Sequence, residues 1–476
     1  MTSTPRDGTS SEGAGGAPPP AAPAGLHVPA EPDFLASLRA DLADWRHWLA
    51  RAIVLSYALA AGLAVVLFTW LSNRAIEGYA HLSAWAPLAL FVWIPCWTAG
   101  LVWLTRRYAP GAAGSGIPQV MAALSPRVPA GQRSLFVSLR LSVAKILLTS
   151  GGLLGGLAIG REGPSVQIAA GVMQHAQRWL PRRSPLNQDG LLVAGGAAGI
   201  AATFNAPLAG VMFAIEELTR KIEQRSSGLI VAGIVLAGLV AVSFFGNASY
   251  FGRLHVDRLT WAQLLPGLAT AVGSGLLGGV FSRLLQRSLL GGTDRFSRWR
   301  ARWPVRFAFG CGLAIALLAW VSHGATAGSG YDYTRNLVEG HFDLPVLYVV
   351  LRFVATWLSV WSGVPGGIFA PSLAIGAGIG SDIALLTGTH EGSVVLIAIG
   401  MTAFLSAVTQ APVTAFIIVM EMVDGHAMVL SLMGAALIAS LVSRWISVPI
   451  YHRLALAQLA RLPDEGRRES PGRPRP

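Results

Sequence analysis

Long apolar runs with few charges restrict this chain more than any other feature. The stretches 52–72, 82–105, 135–159, 227–245, 261–285, 307–322, 343–363, 392–420 and 427–448 each read as a candidate membrane span. About 20 apolar residues cross a ~30 Å hydrocarbon core as a helix. Inside lipid every backbone N–H and C=O must be satisfied by the protein, so only helices and closed barrels can span. The runs are continuous and do not alternate, which selects helices. The expected fold class is an all-α polytopic membrane protein. Composition agrees: 53% of residues are hydrophobic against 13% charged, and 55 glycines suit close helix packing in lipid.

A net charge of +12 raises the possibility of a nucleic-acid partner, but the basic residues sit in loops. They group at Arg106 and Arg107, at Arg178, Arg182 and Arg183, at Arg220, Lys221 and Arg225, from Arg287 to Arg306, and from Arg453 onward. The positive-inside rule places those loops, and with them both termini, in the cytoplasm and the 246–260 connection outside. Topology accounts for the charge, and no nucleic-acid partner is expected.

Residues 1–33 are rich in Ala, Pro and Gly and read as a disordered tail, with no signal-peptide core. Phe34, Leu38, Leu42, Trp45 and Leu49 recur at helical spacing, so 34–50 reads as an interfacial helix leading to a transmembrane domain over 51–455. The remaining residues, 456–476, form a short cytoplasmic tail with no room for a regulatory domain. Cys96 and Cys311 both lie in apolar segments, so no disulfide framework is expected. The histidines form no metal-ligand spacing, and no cofactor is expected.

Three motifs interrupt the apolar chain: Gly114-Ser115-Gly116-Ile117-Pro118, Gly160-Arg161-Glu162-Gly163-Pro164 and Gly366-Gly367-Ile368-Phe369-Ala370-Pro371. Glycines allow irregular backbone, and proline at the first helical position is pre-set for the helix. Each motif predicts an unwound stretch that opens a helix at membrane depth, with free N–H groups at its tip. Such tips attract anions.

The chain also repeats itself. Leu191, Gly195, Ala198, Ala206, Pro207 and Glu216 match Leu396, Gly400, Ala403, Ala411, Pro412 and Glu421 at an offset of 205, while Pro164-Ser165 matches Pro371-Ser372 at 207. Interrupted segments at equivalent places in two halves point to a transporter's binding site. The halves, about 51–226 and 227–455, are expected to be inverted in the membrane.

The three motifs, with Phe204-Asn205-Ala206-Pro207-Leu208-Ala209-Gly210, Glu216-Glu217 and Pro449-Ile450-Tyr451, resemble the CLC family of chloride channels and chloride/proton exchangers from about residue 50 to 455. The resemblance implies an inverted-repeat helical bundle with broken and re-entrant helices, assembled as a homodimer with one pore per subunit. Carried over by residue, Ser115 and Tyr451 would give hydroxyls to a central chloride, and the amides of Ile368 and Phe369 would complete that site. Glu162 would be the gating glutamate and Glu217 the inner proton-transfer glutamate. Lys145 matches a buried base of the exchangers. Retention of both glutamates favours electrogenic chloride/proton antiport, with a passive proton-gated chloride channel as the alternative. The simple tails suggest a bacterial inner-membrane protein.

The residues also allow plainer readings. Ser115 could cap the helix that opens at Ile117, and Tyr451 could be an aromatic at the membrane interface. An ionised Glu162 near mid-membrane costs roughly 2.5–3.5 kcal/mol or more, so it needs a partner. That partner could be adjacent Arg161 or the helix-tip amides that would hold chloride. Glu217 could pair at a helix end with Arg220 or Lys221. Lys145 could snorkel or bind backbone carbonyls. Gln119 and Met121 stand where well-known bacterial exchangers carry acids, which would leave Lys145 without its partner, and Lys221 would crowd the inner proton entrance. An intramembrane enzyme would need a paired nucleophile and base or a motif such as His-Glu-x-x-His; the sequence has neither.

Overall fold

The computed structural model describes residues 45–181, 187–219, 227–246, 250–252, 261–341, 347–389 and 393–462. Residues 1–44, Arg182, Arg183, Arg220, Lys221, Arg225 and the tail after 462 therefore lie outside the described residues. Among the described residues there are eighteen α-helices and no named strand. In chain order they are α1 Trp45–Trp85, α2 Leu90–Tyr108, α3 Ile117–Ala123, α4 Leu139–Leu154, α5 Glu162–His175 and α6 Gln188–Phe204. They continue with α7 Pro207–Phe213, α8 Ser227–Phe245, α9 Leu264–Leu290, α10 Arg295–Arg302, α11 Pro304–Val321 and α12 Tyr331–Val338. The last six are α13 Tyr348–Ser362, α14 Phe369–Thr387, α15 Ser393–Thr409, α16 Pro412–Met422, α17 Val429–Arg444 and α18 Ile450–Leu459.

Eight helical stretches among the described residues are long and apolar enough to cross a bilayer: α1, α8, α11 and α14, and α2, α4, α9 and α17 each taken with the 3-10 turn that precedes it. Two sequence expectations need correction. The run 392–420 is not one span, because it breaks between α15 and α16 at Gln410, whose φ is +61°, just before Pro412. Over the described part of the 343–363 run, residues 347–363, the helix α13 has only 15 residues. Conversely α14, read from sequence as a motif followed by an apolar run, is a full-length helix. Its window is 78% buried against 39–50% in the other seven, so it lies inside the bundle.

The repeat is visible in the backbone. Helices α6 and α15 are both 17 residues long and both end at a left-handed residue, Asn205 (φ 56°) and Gln410 (φ +61°), followed by Ala and a Pro that opens the next helix. Proline cannot continue the preceding hydrogen-bond ladder, so each break is fixed locally. Glu216 Oε1 and Oε2 accept from Val413 N (3.1 Å) and Thr414 N (2.6 Å) at the start of α16. In return Glu421 Oε1 and Oε2 accept from Leu208 N (3.2 Å) and Ala209 N (2.7 Å) at the start of α7. Each segment thus caps the other's N-terminus, which requires the two to run antiparallel. The inner helices pack backbone to backbone: Gly195 and Gly199 of α6 lie on α5, and Gly376 of α14 lies on Gly400 of α15, with no room for a Cβ at any of the four.

Candidate functional site

All three motifs meet at one place. Gly160 N donates to Gly367 O (2.8 Å) and Gly367 N to Gly160 O (2.7 Å), a two-residue antiparallel bridge between the second and third motifs. Gly366 N donates to Gly114 O (3.2 Å), which ties in the first. The motifs open α3, α5 and α14. The prolines lie one or two positions later than expected: Pro118 is second in α3, while Pro164 and Pro371 are third in α5 and α14. Nothing is lost by the delay, since the first four N–H groups of any helix lack an intrahelical acceptor.

Glu162 is the first residue of α5 and is 0% exposed. Its Oε2 accepts from Ala370 N at the tip of α14 (3.3 Å), while its Oε1 has no partner among the described residues. The carboxylate lies over Gly160, where any Cβ would strike Oε2. Adjacent Arg161 does not pair with it. The guanidinium donates instead to Asn73 Oδ1 (2.7 Å) and the Tyr250 hydroxyl (2.7 Å), across the Tyr250 ring. The amides of Ile368 and Phe369 give no hydrogen bond to any described residue.

The serine loop turns through left-handed Gly114 (φ +77°) and Gly116 (φ +112°), conformations that glycine adopts without strain. Two of its carbonyls, those of Ala112 and Ala113, are bonded by neighbouring side chains, as is that of Gly114. Fully buried Lys145 donates from Nζ to Ala112 O (2.7 Å) and Gly114 O (2.7 Å). Gln119 Nε2 donates to Ala113 O, and its Oε1 accepts from Gly116 N (3.0 Å). The carbonyl-binding reading of Lys145 is therefore the observed one. In the first motif the Gly116 amide is taken by Gln119 Oε1, whereas the Ile368 and Phe369 amides of the third have no acceptor among the described residues.

The loop presents Ser115 Oγ, a buried hydroxyl with no partner among the described residues, packed against Gly163 where a Cβ would collide. Tyr451, second residue of α18, is 1% exposed, and its hydroxyl likewise has no partner among the described residues. That burial does not suit an interfacial aromatic. Its ring lies 5.9 Å from that of Phe369.

Two cavities approach this junction. One, of about 360 Å³, is lined by Ser115, Ile368 and Tyr451. The other, of about 960 Å³, is lined by Arg161, Asn205 and Tyr250. Glu162 lines neither and is buried between them. Glu217 is half-buried in the π-helical turn Ala214–Leu218 that follows α7. The alternative partners of Glu217, Arg220 and Lys221, lie outside the described residues.

The family model described as voltage gated chloride channel matches residues 97–444. The chain belongs to the voltage-gated chloride channel (CLC) family. A curated CLC relative, the H(+)/Cl(-) exchange transporter ClcA of Cronobacter sakazakii, is 32% identical over 445 residues, covering 87% of this chain and 90% of that protein. The crystal structure of a slow cyanobacterial Cl-/H+ antiporter matches with a TM-score of 0.73 and 27% identity, over 87% of this chain and 98% of that one. A CLC-type fluoride/proton antiporter shares the fold at a TM-score of 0.69 and 22% identity, over 85% and 97% of the two chains.

Two residues that hold the CLC core were not singled out from sequence. Arg352 of α13 is fully buried and donates to the carbonyls of Thr326 (2.8 Å), Ala327 (3.1 Å) and Gly328 (2.7 Å). Gln167 of α5 donates to Gly111 O (2.9 Å) and Phe136 O (2.7 Å). A lone arginine within the apolar 343–363 run was the available signal for the first. A single glutamine in an apolar helix gave little for the second.

Proposed function

We propose that this protein exchanges chloride for protons across a membrane, acting as an electrogenic antiporter and not as an enzyme. The observation that carries the reading is the Glu162 carboxylate, buried between two cavities and bound to the α14 tip, beside hydroxyls of Ser115 and Tyr451 that find no partner among the described residues. A buried hydroxyl left unpaired costs about 1–3 kcal/mol, so two at one junction call for a ligand. Chloride suits them: each hydroxyl offers one donor and no fixed charge, which binds an anion without trapping it. The amides of Ile368 and Phe369 complete the shell.

Glu162 supplies the coupling. Ionised, it competes with chloride for the amides of the α14 tip. On taking a proton it loses that attraction, turns away and leaves the position to the anion. Each cycle of the side chain thus moves protons one way and chloride the other. Glu217 passes the proton between Glu162 and the water on the Tyr451 side. Lys145 and Gln119 keep the serine-loop carbonyls off the anion. The identities to the ClcA exchanger and the cyanobacterial antiporter support exchange over passive conduction. The protein further acts as a homodimer in lipid, in a bacterial inner membrane with both termini cytoplasmic.

Purified protein in chloride-loaded liposomes provides the test, with external pH followed as chloride runs down its gradient. Uphill proton movement is the expected result. Chloride efflux without proton movement would mean a channel.

A further inference from the structure

The cavity that ends at Ser115 and Tyr451 has a one-sided electrostatic lining. Among the described residues its only charged lining side chains are Arg300 and Arg461, with no Asp or Glu beside them. Gln119, which lines it too, occupies a position where an acid would have cancelled one of those charges. Between the arginines and the hydroxyls the wall is apolar, formed by residues such as Leu285, Leu289, Val360 and Leu454.

Arg300 is held in place by its surroundings. Asp294 Oδ2 accepts from Ser297 N (2.9 Å) and caps α10, and the Trp299 ring meets Phe307 edge-on at 5.2 Å. Arg300 Nη1 donates to Ser288 O (3.0 Å) and reaches Leu289 O (3.5 Å) at the end of α9. Its Nε and Nη2 take no acceptor among the described residues. Nη2 lies 4.0 Å from where a Cβ on Gly363 would stand, beside the loop that runs into Gly366 and Gly367. Arg106 and Arg461 are near enough to repel it. No carboxylate among the described residues pairs with Arg300 or Arg461.

Resting on the reading of this cavity as an anion route, we infer that Arg300 and Arg461 form an anion-capture site at its mouth, which takes chloride before it reaches Ser115 and Tyr451. Like charges between low-dielectric walls focus the field and raise the local anion concentration. Two guanidiniums with spare N–H groups can share one small anion, and mutual repulsion falls when it arrives. A flux set by this capture step is sensitive to chloride concentration and to ionic strength, whereas proton stoichiometry, set at Glu162, is not.

Chloride flux measured against chloride concentration in liposomes tests the site with Arg300→Gln, Arg461→Gln and Arg300→Lys. Each glutamine variant is expected to raise the half-saturating chloride concentration roughly three- to tenfold, with maximal rate and proton ratio unchanged. Arg300→Lys retains the charge and recovers most of the affinity. The difference should fade as an impermeant salt is raised from ~0.1 to ~1 M and the Debye length falls from ~10 to ~3 Å. Unchanged half-saturation in both glutamine variants, or a shift that persists at ~1 M salt, overturns the site. If Arg300→Gln does not elute like the parent protein, exposed Arg461 decides alone. Lack of proton movement in the unsubstituted protein would defeat the exchange reading without touching this test, which reads chloride only.

Discussion

The tips of α5 and α14 are two copies of one backbone carrying different side chains. Their N-caps, Arg161 (φ −101°, ψ −12°) and Ile368 (φ −117°, ψ −3°), have nearly the same conformation. In each, a serine four residues on donates its hydroxyl to the N-cap carbonyl: Ser165 to Arg161 O at 3.0 Å and Ser372 to Ile368 O at 2.6 Å. Gly160 and Gly367, equivalent at an offset of 207, bond to each other. At that same offset Glu162 corresponds to Phe369 and Gly163 to Ala370. One tip therefore bears an acid and the other offers it an amide. Elsewhere the halves keep what they share: Glu216 and Glu421 do the same work on each other's helices. The glycines, prolines and serines that appear twice build the fold, while the acid appears once, and the proposed exchange assigns the proton to it.

The sharpest way to break this comparison is to neutralise the odd residue. Glu162→Gln should reduce proton movement in liposomes to the leak of protein-free vesicles while chloride still flows; proton transport that persisted would remove Glu162 from the coupling path. Glu217→Gln should also uncouple protons, with Glu162 intact. Coupling at the parent ratio would make Glu217 a helix-end charge.

A smaller effect is expected at the hydroxyl pair. Tyr451→Ala should weaken chloride binding about tenfold by calorimetry, equivalent to ~1.4 kcal/mol. Unaltered affinity would show that the hydroxyl does not touch the ion. The symmetric pair should respond least and equally. Glu216→Ala and Glu421→Ala each uncap one helix, at about 0.5–2 kcal/mol, and lower thermal stability by similar amounts. The comparison fails if either variant changes the proton ratio.

Much of this was legible in the chain because its signals are local. Apolar length gave the helices, and Pro207 and Pro412 gave paired breaks. Glycines marked where backbones approach, and the 205 offset linked Glu216 with Glu421 before their reciprocal capping was seen. What escaped the reading depends on partners distant in sequence. Arg352 binds carbonyls 24–26 residues away. Gln167 binds carbonyls 31 and 56 residues away. Lys145 has no acid at Gln119 or Met121, and the fold supplies two carbonyls instead. Burial of α14 was equally hidden, since an inner helix and a lipid-facing one are both apolar. The split of 392–420 was signalled by Pro412, but its left-handed Gln410 was not.

Competition between Glu162 and chloride for the α14 tip is the central claim, and a chloride-binding isotherm taken at several pH values tests it most directly. Lowering the pH protonates Glu162, removes a negative charge from the site and frees the Ala370 amide. Chloride affinity should therefore rise as pH falls in the parent protein and stay level in Glu162→Gln. The same pH dependence in both proteins would contradict the account.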